Sequence, residues 1–295
     1  MSIEKIVIVK KPTQLEELLK IHATSSQVEF YLAQNGISYQ DVQQEHNDYH
    51  IGLRGVTSKI PQGIPYQIVN KYDLPRFEAR RGDLLVPIGD PGLVINCAKS
   101  ANSQPVYAVN SNPNLYEDVF TTSTIKDFSA GLQRVLEGEF DTIPITMIQA
   151  TLDDGREVLG VNDIFVGKSN QTSARYLIKT REGIEENQSS SGVIISTGAG
   201  KTGWLKSVLG RVVEDFEWED RMLIYYVREA FESKTTGTEL TNGYIKEDTL
   251  EITSQMPQDG IIFADGMIDS GIDFQAGRKV LIGVSDKKFN LIKLE

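Results

Sequence analysis

The sequence predicts an α/β domain followed by a β-rich domain, and three observations carry that expectation. Ile6-Val-Ile-Val9 and Leu84-Leu-Val-Pro-Ile88 are continuous apolar runs, as strands buried on both faces require. Each runs into a turn and then into a helix-compatible segment. After about residue 140 the pattern changes to short strands following one another, many separated by turn pairs such as Asp154-Gly155, Asn242-Gly243 and Asp259-Gly260.

Taken in order, the first apolar run is followed by Pro12-Thr13 and by Leu15, Leu18 and Leu19 at helical spacing. Ser25 or Ser26 can cap a second helical stretch through Phe30, Tyr31 and Leu32, which Asn35-Gly36 ends. Residues 37–80 give no clear signal. The run at 84–88 leads straight into Gly89-Asp-Pro-Gly92, then a helix-compatible stretch over residues 93–100 and a third strand over 105–109. Strand, glycine turn, helix, strand is the grammar of a βαβ unit in a parallel sheet. Residues 121–139 suit a linker helix. The expected organisation is an α/β nucleotide-binding domain over 1–115, a β-rich domain over 116–278, and a C-terminal part over 279–295. The last strand, residues 289–294, is expected to return to the first domain.

Composition narrows the partners. Lys+Arg 30 against Asp+Glu 41 gives a formal charge of −11, which repels phosphate backbones and anionic lipid, so neither nucleic acid nor membrane is expected. A nucleotide is still allowed, because a local cradle of backbone N–H groups holds phosphate against the overall field. Cys97 is the single cysteine, which rules out an intrachain disulfide. The first ten residues lack the apolar core of a signal peptide, and the longest apolar run, residues 222–227, is too short to span a bilayer. A cytoplasmic protein is expected.

Several positions are candidates for chemistry. Gly89 to Gly92 sits at a strand-to-helix turn, where amides and the helix dipole favour phosphate, although such turns are also common for geometric reasons. The loop Ser196-Thr-Gly-Ala-Gly-Lys-Thr-Gly-Trp204 follows an apolar strand, but Ile195 stands where a Walker motif needs glycine. Its three glycines and its hydroxyls still suit close approach to a nucleotide, or else a structural turn over a core tryptophan. Asn162-Asp163 pairs an amide with a carboxylate, which together match two ribose hydroxyls, or form an ordinary turn. Asp265-Gly266 carries the same ambiguity. His46 and His50 stand four apart, a spacing a metal can use on a helix, but no third ligand is evident, so no metal site is expected.

These pieces, in this order, resemble the NAD kinase family. The family's Gly-Gly-Asp-Gly turn, Asn-Glu pair, Thr-rich glycine loop and late Asp-Gly would be Gly89 to Gly92, Asn162-Asp163, Thr197 to Trp204, and Asp265-Gly266. Gln104-Pro-Val-Tyr-Ala-Val-Asn110 is similar to a family strand, and Ser173-Ala-Arg-Tyr176 and Ser189-Ser-Ser-Gly192 resemble the branch that includes mitochondrial NAD kinases. The resemblance spans roughly residues 80–295. It implies a Rossmann-like α/β domain with a β-sandwich-like second domain, and a nucleotide in the cleft between them. It implies ATP-dependent phosphorylation of the 2′-hydroxyl of NAD to give NADP, with Mg²⁺ if catalysis occurs, and a homo-oligomer. Gly89, Gly92, Asn162, Asp163, Thr197, Gly198, Ala199, Gly200, Thr202, Trp204 and Asp265 become the expected dinucleotide and ATP contacts.

The departures fall on the chemistry. In the family the Asp of the first turn accepts the ribose proton. Aligning Gly89 and Gly92 with the motif places Pro91 at that position and Asp90 one residue early. Proline has neither a proton acceptor nor an N–H. Asp90 is therefore the catalytic candidate if the turn is remodelled. The alternative is a catalytically inactive protein that binds NAD(P) or another nucleotide as a regulator or sequesterer. Asp163 replaces the family Glu, shortening the carboxylate by one methylene, and Trp204 replaces Tyr.

Overall fold

The computed structural model describes residues 3–116 and 119–294. Met1 and Ser2 of the expected first domain, and Glu295 of the expected C-terminal part, lie outside the described residues, as do Glu117 and Asp118. The chain divides into two compact units, Met1–Ile143 with Asn290–Glu295, and Pro144–Phe289.

The first unit is built on a parallel sheet. Strand β1 (Lys5–Lys10) lies between β2 (Tyr66–Asn70) and β3 (Asp83–Gly89), with Ile6 opposite both Tyr66 and Leu84. Both apolar runs are fully enclosed: Ile6 to Val9 and Leu84 to Val86 show no exposed surface. Between β1 and β2 stand helices α1 (Gln14–Ile21), α2 (Ser25–Gln34) and α3 (Tyr39–Thr57). Thr24, rather than a serine, caps α2 by accepting from Gln27 N at 3.3 Å. Helix α3 packs Tyr49, Leu53 and Val56 onto the sheet.

Strand β3 runs through Gly89, and α4 (Pro91–Ser100) starts two residues later. The third predicted strand is split into β4 (Pro105–Val106) and β5 (Val109–Asn110), each parallel to β3. Short β6 (Ser123–Thr124) and helix α5 (Phe128–Glu137) follow, and Phe128, Leu132 and Val135 join the first unit's core. Contacts thus group α5, set with the β-rich domain in the sequence reading, with the α/β unit. The end of the final strand does the same: Asn290 and Leu291 pair in parallel with Pro105 and Val106.

The second unit holds two antiparallel layers around one apolar core. One contains β9 (Asp163–Lys168), β12 (Val193–Ser196), β13 (Leu223–Val227), β14 (Asn242–Ile245), β16 (Gly260–Ala264) and β17 (Ile272–Asp273). Facing it is an antiparallel layer of β7 (Asp141–Leu152), β8 (Glu157–Gly160), β10 (Ala174–Lys179), β11 (Glu185–Ser190), β15 (Thr249–Ser254) and β18 (Lys279–Lys293), part of a larger sheet, with β7 belonging to this unit from Pro144 and β18 as far as Phe289. Ile148, Ile164, Tyr176, Ile195, Ile252 and Ile282 are among the side chains filling the space between them. Asn242-Gly243, expected as a turn, instead opens β14, where Gly243 pairs with Tyr225. A Cβ on Gly243 would lie 2.6 Å from the Tyr225 ring, so this glycine makes room for a cross-strand aromatic rather than reversing the chain.

Candidate functional site

In the first unit, the candidate chemistry gathers at the carboxyl ends of the parallel strands, where open α/β sheets bind their ligands. Asp90 follows β3 directly and is the N-cap of α4, with Oδ1 accepting from Leu93 N at 2.8 Å. Pro91 occupies the first helical turn, where a missing N–H costs the helix nothing but removes one donor a phosphate could use. The other Asp90 oxygen is bonded to Lys11 Nζ, from the residue just after β1. Burial works to lower the Lys11 ammonium, but the bond and charge of Asp90, helped by Tyr116, outweigh it and hold it above the usual lysine value.

Tyr49 of α3 ties these strand ends together. Its Oη donates to Ile88 O at 3.0 Å and accepts from Lys11 N at 3.3 Å, and burial pushes its phenol up to about 12, so it stays a neutral donor. A cavity of about 250 Å³ opens beside this cluster, lined by Lys11, Thr13, Glu45, Tyr49, Ser111 and Tyr116. Gly89 is buried, and a Cβ there would lie 2.9 Å from Leu93 Cδ2; Gly92 is exposed. The sequence alone does not mark Lys11, Tyr49 or Tyr116 as site residues. The one signal it offers is the lysine pair Lys10-Lys11 closing an apolar strand.

In the second unit, the structure brings Asn162, Asp163, Thr197, Gly200 and Asp265 together. The Asp265 carboxylate accepts from the backbone: Oδ1 takes Asn162 N at 2.7 Å and Val161 N at 3.0 Å, with Asp163 N at 3.4 Å. Asp265 N donates in return to Asp163 O at 3.0 Å. Thr197 is fully buried; its Oγ1 donates to Val161 O at 2.5 Å and its N to Asn162 O at 2.9 Å. The late Asp and the Thr thus clamp the turn that presents Asn162-Asp163. Asp163 is buried, and Asn162 keeps one buried side-chain oxygen, Oδ1, without a hydrogen-bond partner.

The loop glycines have internal duties. A Cβ on Gly198 would lie 1.9 Å from Glu217 O, and one on Gly200 would lie 2.3 Å from Asn162 O. Gly200→Ala should therefore cost about 1–3 kcal/mol by overpacking against fixed backbone, read as a lower melting temperature. Ala199 is buried, Thr202 is exposed, and Lys201 pairs with Glu217 at 2.8 Å. Trp204 starts a short helix, α6 (Trp204–Leu209), with its ring 5.5 Å from that of Phe165 and the Arg228 guanidinium 5.6 Å from its centre. Among the described residues, no helix is long and apolar enough to cross a membrane.

No protein-family model matches the chain. The chain is 22% identical over 264 residues to NAD kinase 2, mitochondrial, of Homo sapiens, covering 72% of this chain and 60% of that protein. It is 23% identical over 264 residues to the Rattus norvegicus protein of the same name, covering 72% and 62%. It thus spans about three fifths of the length of these relatives. Among solved structures, yeast NADH kinase complexed with NADH superposes with a TM-score of 0.66 at 12% identity, covering 100% of this chain and 85% of that one. An NAD kinase from Archaeoglobus fulgidus in complex with ATP gives 0.57 at 15% identity, covering 98% and 93%. At such identities the structural likeness establishes the fold, a parallel-sheet unit with an antiparallel β unit as in NAD kinases. In sequence and in fold, the chain is similar to NAD kinases.

Proposed function

We propose that the chain binds a dinucleotide and ATP and phosphorylates the 2′-hydroxyl of NAD to give NADP, with Asp90 as proton acceptor and at a reduced rate. The observation that carries this reading is the Asp90 carboxylate itself, at the carboxyl end of β3, partly open to solvent and backed by Lys11. A carboxylate so placed suits general-base work on an attacking hydroxyl. The reduced rate follows from its two engagements, with Leu93 N and with Lys11, one of which must be shared or given up to take a proton. Pro91 lowers it further by withholding an amide from the phosphate. Mg²⁺ enters with ATP as the substrate's counter-ion. With its lone cysteine, Cys97, buried, the protein suits the reducing cytoplasm.

A second reading, a nucleotide binder without turnover acting as a regulator or sequesterer, is favoured by Pro91 and by the engaged carboxylate. The two part on one assay, NADP formed from NAD and Mg-ATP by the unmodified chain. Turnover supports the kinase, and dinucleotide binding without turnover supports the second reading.

The Asn162-Asp163 turn is proposed to hold nucleotide hydroxyls. The unpartnered Asn162 Oδ1 supports this, since a buried acceptor is normally satisfied and a sugar hydroxyl supplies the donor. Asp163→Ala and Asn162→Ala should each weaken dinucleotide binding by about 1–3 kcal/mol in calorimetry. Unchanged affinity in both variants, with melting curves like the parent, would remove these residues from the site.

A further inference from the structure

Helix α1 begins at a capping box in which Glu16 Oε2 accepts from Thr13 N at 2.8 Å and Thr13 Oγ1 accepts from Glu16 N at 3.3 Å. That leaves Glu16 Oε1 to face His50 Nε2 of α3 at 3.1 Å. One helical turn earlier, His46 lies with its ring 4.5 Å from that of His50, and its Nδ1 is 2.7 Å from Thr13 Oγ1. One ligand atom from each of Glu16, His46 and His50 lies within 4.8 Å of the others. The sequence shows the histidine pair but hides the third member, which comes from another helix.

We propose that Glu16, His46 and His50 form a binding site for a divalent transition-metal ion of the zinc class. Ligand atoms about 2.0–2.1 Å from a tetrahedral ion stand roughly 3.3 Å from one another. Glu16 Oε1 and His50 Nε2 are already at that spacing, and His46 closes the third corner by a small ring movement. Two imidazoles and one carboxylate are the donor set of open zinc sites, with water in the fourth position. Imidazole selects zinc, cobalt or nickel over magnesium and calcium, so this site is chemically separate from any Mg-ATP. The Thr13 contacts to His46 and Glu16 supply the outer hydrogen bonds that orient such ligands. A plain Glu16–His50 contact joining the helices accounts for one imidazole, but not for the second, His46, held within 4.8 Å of the same two ligand atoms. Arg54 lines the same cavity with Gln44 and Asn47, and its charge keeps the expected affinity moderate.

The chain's three histidines make the test unambiguous. Chelator-treated full-length protein is titrated with zinc chloride while the imidazole signals are followed by NMR, with His22→Gln used to identify the outlying ring. His46 and His50 should shift together to saturation at one ion per chain while His22 stays in place. His46→Gln and His50→Gln should each weaken zinc binding by about tenfold or more in calorimetry, and Mg²⁺ should produce neither effect. Unmoved His46 and His50 signals, equal movement of all three rings, or undiminished zinc uptake by the His46→Gln/His50→Gln double variant would overturn the site. The wild-type titration decides alone if either variant fails to fold, and neither result depends on kinase activity.

Discussion

Replacing Asp90 with asparagine should lower NADP formation by about 10²–10⁴-fold, the usual cost of losing a general base, while leaving the fold nearly as stable. Asparagine caps a helix as well as aspartate does, so the bond to Leu93 N survives. The ion pair with Lys11 is lost, but both side chains are partly exposed, at 22% and 26%, so screening keeps its worth to about 1 kcal/mol. A loss confined to kcat, with little change in KM for either substrate, marks a group that acts in the transition state. Asp90→Ala would confound the reading, because it also removes the cap at a cost of about 1 kcal/mol. The paired change Asp90→Gly with Pro91→Asp then tests the register of the turn. If Asp90 is the base, that variant is as inactive as Asp90→Asn. If it forms NADP where the unmodified chain forms none, the acceptor belongs at position 91 and the second reading holds.

How much of this was legible in the sequence differs between residues. The strands β1 and β3 are legible because burial on both faces demands uninterrupted apolar runs, and the turn bearing Asp90 is legible as a glycine turn between a strand and a helix-compatible stretch, although the capping role of Asp90 is not. Helix α3 was not legible. It buries Val42, Tyr49, Gly52, Leu53 and Val56, but two glycines, two histidines and several polar residues dilute the apolar stripe. Strand β11 (EENQSS) is not legible for the opposite reason: its pairing with β10 at the sheet edge tolerates polar side chains that propensity reads as loop. Site residues that act through distant partners were hidden altogether. Glu16 meets His50 across 34 positions, and Tyr49 meets Ile88 across 39, so neither pairing leaves a local pattern. The aspartate at 265 was legible as a residue to watch but not for what it does, because its partners are backbone amides about 100 positions earlier.

That role of Asp265 leads to the largest expected effect on stability. Its backbone is left-handed, φ 53°, a conformation aspartate, asparagine and glycine tolerate better than other residues. From there its carboxylate satisfies the N–H groups of Val161, Asn162 and Asp163, at the turn between β8 and β9. Val161 and Asp163 are buried, so truncation to alanine strands donors that water reaches poorly. Each stranded group costs about 1–3 kcal/mol, and alanine adds strain at the positive φ, so Asp265→Ala should lose about 3 kcal/mol or more. For a chain of 295 residues that corresponds to a fall in melting temperature of roughly 5 °C. Asp265→Asn should lose far less, since it keeps one acceptor oxygen and tolerates the backbone. The alternative is a residue whose carboxylate serves the nucleotide directly. That predicts the reverse pattern, with dinucleotide affinity reduced in both variants and the ligand-free melting temperature unchanged. A cooperative melt of Asp265→Ala coincident with the parent's would therefore transfer Asp265 from the scaffold to the ligand. A depressed melt rescued by asparagine would fix it as the clamp that holds Asn162 and Asp163 in place.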